Sequence, residues 1–305
     1  MRNGFLLVAA LFVFGELGLP EATAAQRSSK GVRHAFLAAG TRTFIIDTDG
    51  KVAWRYPRST RDGWILPNGN ALLVLPPGKN YPGGVVEVTL NGRTVFAYRG
   101  TQQLVASAQR MENGHYLVAE CGQQPQLRIV DYRNREIGSV FIRSNARDIQ
   151  RQIGYARQIK GGNFLVTQPG DKIVREYNPR GEVVWEMPLL TAPISAIRLT
   201  GGRTLISLEN RQVLEVDKER RVTWRLTKSD FQGKPYLDKL SAIQLLPNGH
   251  LVICTTNTQK GLPQLMEFNR EKVLLWNYVH IARHGIRTFQ VLSTNGKPLG
   301  GTPQR

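Results

Sequence analysis

The chain is poor in acidic residues, in cysteine and in long apolar runs. Asp and Glu number 23 against 41 Lys and Arg, giving a formal charge of +18 over 305 residues. The only cysteines are Cys121 and Cys254. Beyond residue 14 no stretch is long enough to span a bilayer, so no membrane span is expected. Several chemical signatures are also missing. There is no His-Glu-x-x-His, no phosphate-cradling glycine loop, no nucleophile elbow and no pair of carboxylates at a suggestive spacing. No metal site is expected.

The first apolar run lies at the N-terminus. Arg2 is followed by FLLVAALFVF (Phe5 to Phe14) and then by small residues at Ala22-Thr-Ala-Ala. This reads as a secretory signal peptide over residues 1–25, cleaved after Ala24 or Ala25. No cysteine follows the run, which argues against a lipid anchor. The expected product is one periplasmic or secreted domain over residues 26–305, a monomer, with a charge of +19 once Arg2, Glu16 and Glu21 are gone.

What is abundant is repetition. An Asp or Asn is followed seven residues later by an aromatic, and then by an Asn-Gly or Gly-Gly turn. The pattern runs Asp47 to Trp54, Asn178 to Trp185, Asp217 to Trp224 and Asn269 to Trp276. Thr89 to Phe96 and Asp131 to Gly138 are degenerate copies. Six copies 39 to 52 residues apart, built of short Val-, Ile- and Leu-rich runs, predict an all-β fold: a six-bladed β-propeller of four-stranded antiparallel blades. The chain enters at His34–Ala39 in the phase of a second strand and leaves at Thr288–Leu292 in the phase of a first. The last blade should therefore close with N-terminal strands and a C-terminal innermost strand, which removes two exposed edges. Cys121 and Cys254 fall three repeats apart in a ring of six, so both are expected to be free and buried. The Trp column, Trp185 and Trp224 included, is expected to be buried between blades.

The phrases Asp-x-x-Gly-x-Val-x-Trp (Asp47 to Trp54) and Leu-Pro-Asn-Gly-x-x-Leu (Leu66 to Leu72) resemble the PQQ-like, or quinoprotein-like, β-propeller repeats and the related arylsulfotransferase-like propellers. The resemblance implies a propeller over nearly the whole mature chain. Quinoprotein dehydrogenases of this kind carry eight blades and an adjacent-cysteine disulfide near PQQ. Six repeats and no adjacent cysteines here lead to an expectation of no cofactor, PQQ being the one the resemblance would supply. The arylsulfotransferase side implies a histidine nucleophile with arginines around a sulfate.

The basic balance points to an anionic partner, a small molecule or an acidic glycan, rather than nucleic acid, for which a secreted protein has little use. Propeller sites lie where the loops feeding the innermost strands meet the central channel. Those loops bring Arg61, Arg151, Tyr236, Lys239 and Arg283 as candidate ligand-binding residues. His280 and His284, in VHIARHGI, are the candidate catalytic residues of the alternative reading, an arylsulfotransferase-like enzyme using a channel-mouth histidine; a PQQ-dependent quinoprotein is the less favoured alternative. The favoured reading is a non-catalytic binding or scaffold module.

Overall fold

The structure is a computed structural model that describes residues 25–231, 239–256, 261–280 and 285–305. The tight turns are built first, by side chains on their own backbone. Asp47 Oδ1 accepts from the amides of Asp49 and Lys51, at 2.9 and 2.8 Å. Asp131, Asn178, Asp217 and Asn269 each accept from the amide four residues on, and Thr89 accepts through its hydroxyl. This is the reason for the Asp/Asn column: a short acceptor pins the turn that joins the third strand to the fourth. Asp47 in Asp-Thr-Asp-Gly is thus the acceptor of a hairpin turn, and no group of three metal-ligating side chains occurs among the described residues.

These turns link strands that pair in chain order into six sheets. Blades 1 to 5 span residues 62–99, 104–141, 156–188, 193–226 and 240–279. Blade 6 takes its innermost strand from Ile286–Thr294 and its other three from His34–Gly40, Thr43–Ile46 and Val52–Tyr56. The expected closure is present, with Ala39 opposite Thr288 and His34 opposite Thr294. Two strands lie outside the repeat. Ala25–Ser28 adds to the outer edge of blade 5, and Lys297–Pro298 pairs against Ile286–Thr294. The leader expected at residues 1–25 falls, but for Ala25, outside the described residues.

The blades are joined by a repeated polar contact. Four third strands carry a buried or half-buried glutamate directly across from the column aromatic: Glu87 with Phe96, Glu176 with Trp185, Glu215 with Trp224, Glu267 with Trp276. The next blade answers with a cation or a donor. Arg198 reaches Glu176 and lies 4.3 Å from the Trp185 centroid; Arg270 reaches Glu215 and lies 4.6 Å from Trp224. At the closing seam Glu267 is met by His34 of blade 6 at 2.8 Å, with His250 of its own blade adding a second bond at 2.7 Å. The indole N–H groups of Trp54, Trp185 and Trp224 also cross the seam, to the carbonyls of Leu90, Lys218 and Arg270.

The aromatics therefore do pack between blades, but Trp185 and Trp224 are half-buried rather than buried. They sit on outermost strands, where the rim is wet. Trp276 alone of the four is fully buried, because the added strand Ala25–Ser28 covers it and Gln26 Oε1 accepts from its N–H at 2.8 Å.

Toward the axis the blades crowd. A Cβ on Gly63 would meet side chains of Leu73, Ala39 and Leu37 at 3.1 to 3.2 Å, so the position takes the smallest residue. Glutamines stitch neighbouring innermost strands: Gln290 bonds both the amide and the carbonyl of Ile65, and Gln244 does the same for Val291. Cys121 and Cys254 are free and buried in blades 2 and 5, as expected. Among the described residues no helix is long and apolar enough to cross a membrane.

Candidate functional site

The innermost strands all start on one face of the disc, the loop face, and run toward the tight turns on the other. At the loop face the first positions of these strands converge. Arg61 precedes Asp62–Ile65, Tyr155 precedes Ala156–Gln158, Lys239 precedes Leu240–Leu245, and Arg287 is the second residue of Ile286–Thr294. Residues more than 200 positions apart thus share one channel mouth.

Below the mouth the channel is filled by an ion cluster. Asp62 is wholly buried and is the acceptor for two guanidinium groups. Arg157 Nη2 lies 2.8 Å from Oδ2, and Arg305 Nη2 lies 2.8 Å from Oδ1. Arg305 also donates to the Gly63 carbonyl at 2.5 Å and to Thr288 Oγ1 at 2.7 Å. The Trp64 ring serves both cations, with Arg305 4.2 Å and Arg157 4.9 Å from its centroid. Trp64 is itself held by a 2.8 Å bond from its N–H to the Ala108 carbonyl on blade 2.

The charges do not balance. Asp62 is shared by Arg157 and Arg305, and burial still pulls the Arg305 guanidinium down to about 10. Burial, and then the Asp62 carboxylate, push the Tyr155 phenol up to about 12, with Arg157, Arg305 and Arg61 acting in the opposite sense. Arg61 has no carboxylate partner among the described residues, and its Nε is buried without a hydrogen bond. Burial, and then the charge of Arg287, hold Arg61 below the usual guanidinium range. Among the described residues four guanidinium groups meet one carboxylate here, a balance that favours an anion.

Of the residues singled out from sequence, Arg61 and Lys239 are at this mouth, Arg61 half-buried and Lys239 exposed. Arg151 ends the 3-10 turn Ile149–Arg151 and is already engaged, with both Nη atoms on Glu209 at 2.8 and 3.0 Å. Tyr236, Arg283 and His284 lie outside the described residues. His280 is half-buried beside Phe44 and Tyr278, with ring centroids 6.0 and 6.1 Å away. Phe44 is on a third strand, so His280 sits between blades, away from the axis. His115 and His250 follow turns on the opposite face, and His34 belongs to the seam with Glu267. Sequence reasoning missed Asp62, Arg157, Arg287 and Arg305. The first three stand in or at predicted innermost strands and could have been found by asking which charges those strands carry. Nothing in the repeat marks Arg305.

A second basic surface, a rim groove over Trp185 walled by Arg143, Arg175, Lys218 and Arg220, is compensated locally. Glu186 lies 3.1 Å from Arg175, and Glu219 3.5 Å from Lys218. The six sheets and the two free, separated cysteines differ from the eight blades and adjacent cysteines of the quinoprotein resemblance.

No family model and no curated protein matches the chain. Solved structures do. A protein of unknown function from Bacteroides caccae superposes with a TM-score of 0.73 at 21% identity, covering 84% of this chain and 98% of that one. A streptogramin B lyase superposes with a TM-score of 0.57 at 9% identity, covering 84% and 88%. The virginiamycin B lyase of Staphylococcus aureus gives 0.54 at 10% identity, covering 83% and 87%. At these identities the likeness is one of fold, the β-propeller.

Proposed function

We propose that the protein is a binding module for an anionic ligand, a small molecule or an acidic glycan, held at the loop-face mouth of the channel. Arg61 and Arg287 contact the anionic group, and Lys239 and Tyr155 flank it. The observation that carries this reading is Arg61, a partly buried guanidinium beside a second arginine, its Nε buried without a hydrogen bond and no carboxylate paired with it among the described residues. A low-dielectric wall strengthens the field of such charges at the mouth. The signal-peptide reading of residues 1–25 supports a periplasmic or secreted setting for the module.

The test is a thermal-shift series with inorganic sulfate, an aryl sulfate and oligogalacturonate at low ionic strength. A ligand that prefers the native state raises its stability. At least one probe should raise the melting temperature. The effect should shrink with salt and vanish in the double variant Arg61→Ala, Arg287→Ala. A double variant that responds as wild type does, or a wild type indifferent to all three probes, would remove the reading.

A further inference from the structure

The occupant of the channel floor is part of the chain itself. After the last innermost strand the backbone turns at Asn295-Gly296, and the Leu299 amide bonds back to the Leu292 carbonyl at 2.9 Å. Residues 300–302, Gly-Gly-Thr, are exposed, and Gly301 has φ +78°. The Gln304 carbonyl then accepts from the Leu245 amide at the turn-face end of blade 5. From there the Arg305 side chain rises through the channel to Asp62, the first residue of the innermost strand of blade 1.

The receiving groups fit a guanidinium in particular. Nη1 donates to the Gly63 carbonyl, Nη2 donates to both Asp62 Oδ1 and Thr288 Oγ1, and the plane lies against Trp64. A compact ammonium has no such fork and could not span these acceptors together. All four receiving residues belong to blades 1 and 6, and none belongs to the tail. The acceptors are therefore assembled by closure of the ring, whether or not Arg305 is there.

We propose that the channel carries a binding site for a guanidinium cation, formed by Asp62, Gly63, Trp64 and Thr288, and that Arg305 is its tethered occupant. A free guanidinium compound, or the arginine side chain of a peptide, takes the place of Arg305 when that side chain is removed. In the intact protein the short exposed tether keeps Arg305 at a millimolar effective concentration or above, so outside ligands are excluded until they exceed it. The inference stands apart from the anion reading, because its ligand is a cation and its acceptor is Asp62.

The full-length Arg305→Ala variant is titrated with ethylguanidinium up to about 20 mM, at the scale of the tether's effective concentration, with ethylammonium as the control. Ethylguanidinium should raise the melting temperature of the variant by about 2 °C or more, ethylammonium should not, and wild type should respond to neither. The double variant Asp62→Asn, Arg305→Ala should show no response. A folded Arg305→Ala protein indifferent to ethylguanidinium, or one that answers both cations alike, overturns the site. Arg305→Gln, which keeps a longer side chain, serves if the alanine variant does not fold. If both fail, refolding in ethylguanidinium is the readout. Recovery supports the site and continued failure overturns it.

Discussion

Replacing Asp62 by Asn keeps the shape of the channel floor and removes its one negative charge. The carboxylate is fully buried, and its partners Arg157 and Arg305 have side chains 8% and 2% exposed. Removing one member of a buried ion pair costs about 3–5 kcal/mol, because the other charge is left without compensation. Two guanidinium groups lose their partner here, yet the cost should not double. Arg305 sits on an exposed Gly-Gly tether and can leave for water. Arg157 has no such escape, since it stands on an innermost strand 5.1 Å from the Tyr155 centroid and 4.9 Å from that of Trp64. The expected loss is therefore about 3–4 kcal/mol, set mainly by Arg157. For a domain of this size that lowers the melting temperature by roughly 6–16 °C. Urea unfolding should show a lower midpoint at an unchanged slope. In a double-mutant cycle, Asp62→Asn and Arg305→Ala should couple by about 1–3 kcal/mol, as contacting residues do. An Asp62→Asn protein within about 1 kcal/mol of wild type would show that the cluster is solvated and that the channel floor is open to water.

Other consequences follow from the seams and thiols. Burial raises the Glu267 carboxyl, but the bonds from His34 and His250 outweigh it and hold the group below its ordinary value. Its stabilisation is thus present above the ordinary glutamate range and lost as pH falls through the depressed value, so Glu267→Gln should be less stable at neutral pH and flatten the acid limb of the stability curve below about pH 4.5. Trp276→Ala should cost about 3–5 kcal/mol by chemical denaturation, as full burial implies, whereas half-buried Trp224→Ala should cost less; equal losses would contradict the covering role of Ala25–Ser28. Burial pushes the Cys121 and Cys254 thiols up to about 12, so neither should react with a thiol reagent at neutral pH until the protein is unfolded.

The repeat was legible because each of its marks has a local cause. Asp47 and its equivalents cap a turn through their own side chains, and a turn residue must be of a particular type wherever the turn recurs. The closure was legible from strand phase alone, since His34–Ala39 and Thr288–Leu292 could not otherwise find partners. The glutamate column was also there to be read, at Glu87, Glu176, Glu215 and Glu267, two residues before Thr89, Asn178, Asp217 and Asn269, but its meaning depends on a partner from the next blade. The depth of the Trp column was misjudged because burial at the rim depends on what lies outside the fourth strand, and among the described residues blade 5 alone gains a strand there. The positions of Arg61 and Lys239, just ahead of innermost strands, were legible from strand phase. Asp62, Arg157 and Arg305 stayed hidden because their pairing joins blades 1 and 3 and a tail that carries no repeat, and no spacing rule links positions so far apart in the chain.

The closing blade has a further consequence in time rather than in energy. Strand His34–Gly40 is made well before its inner neighbour Ile286–Thr294, and Gln26 must wait some 250 residues for Trp276. Until then Phe36, Leu37 and Ala38, all fully buried in the finished ring, line an unpaired strand edge. Contacts of such long sequence separation form slowly, and an unpaired apolar edge invites association with other chains. The ring design thus ties blade 6 to the emergence of all five other blades. A circular permutant opened at the loop between blades 3 and 4 would make blade 6 continuous, hand the waiting to another seam, and move the sticky edge with it.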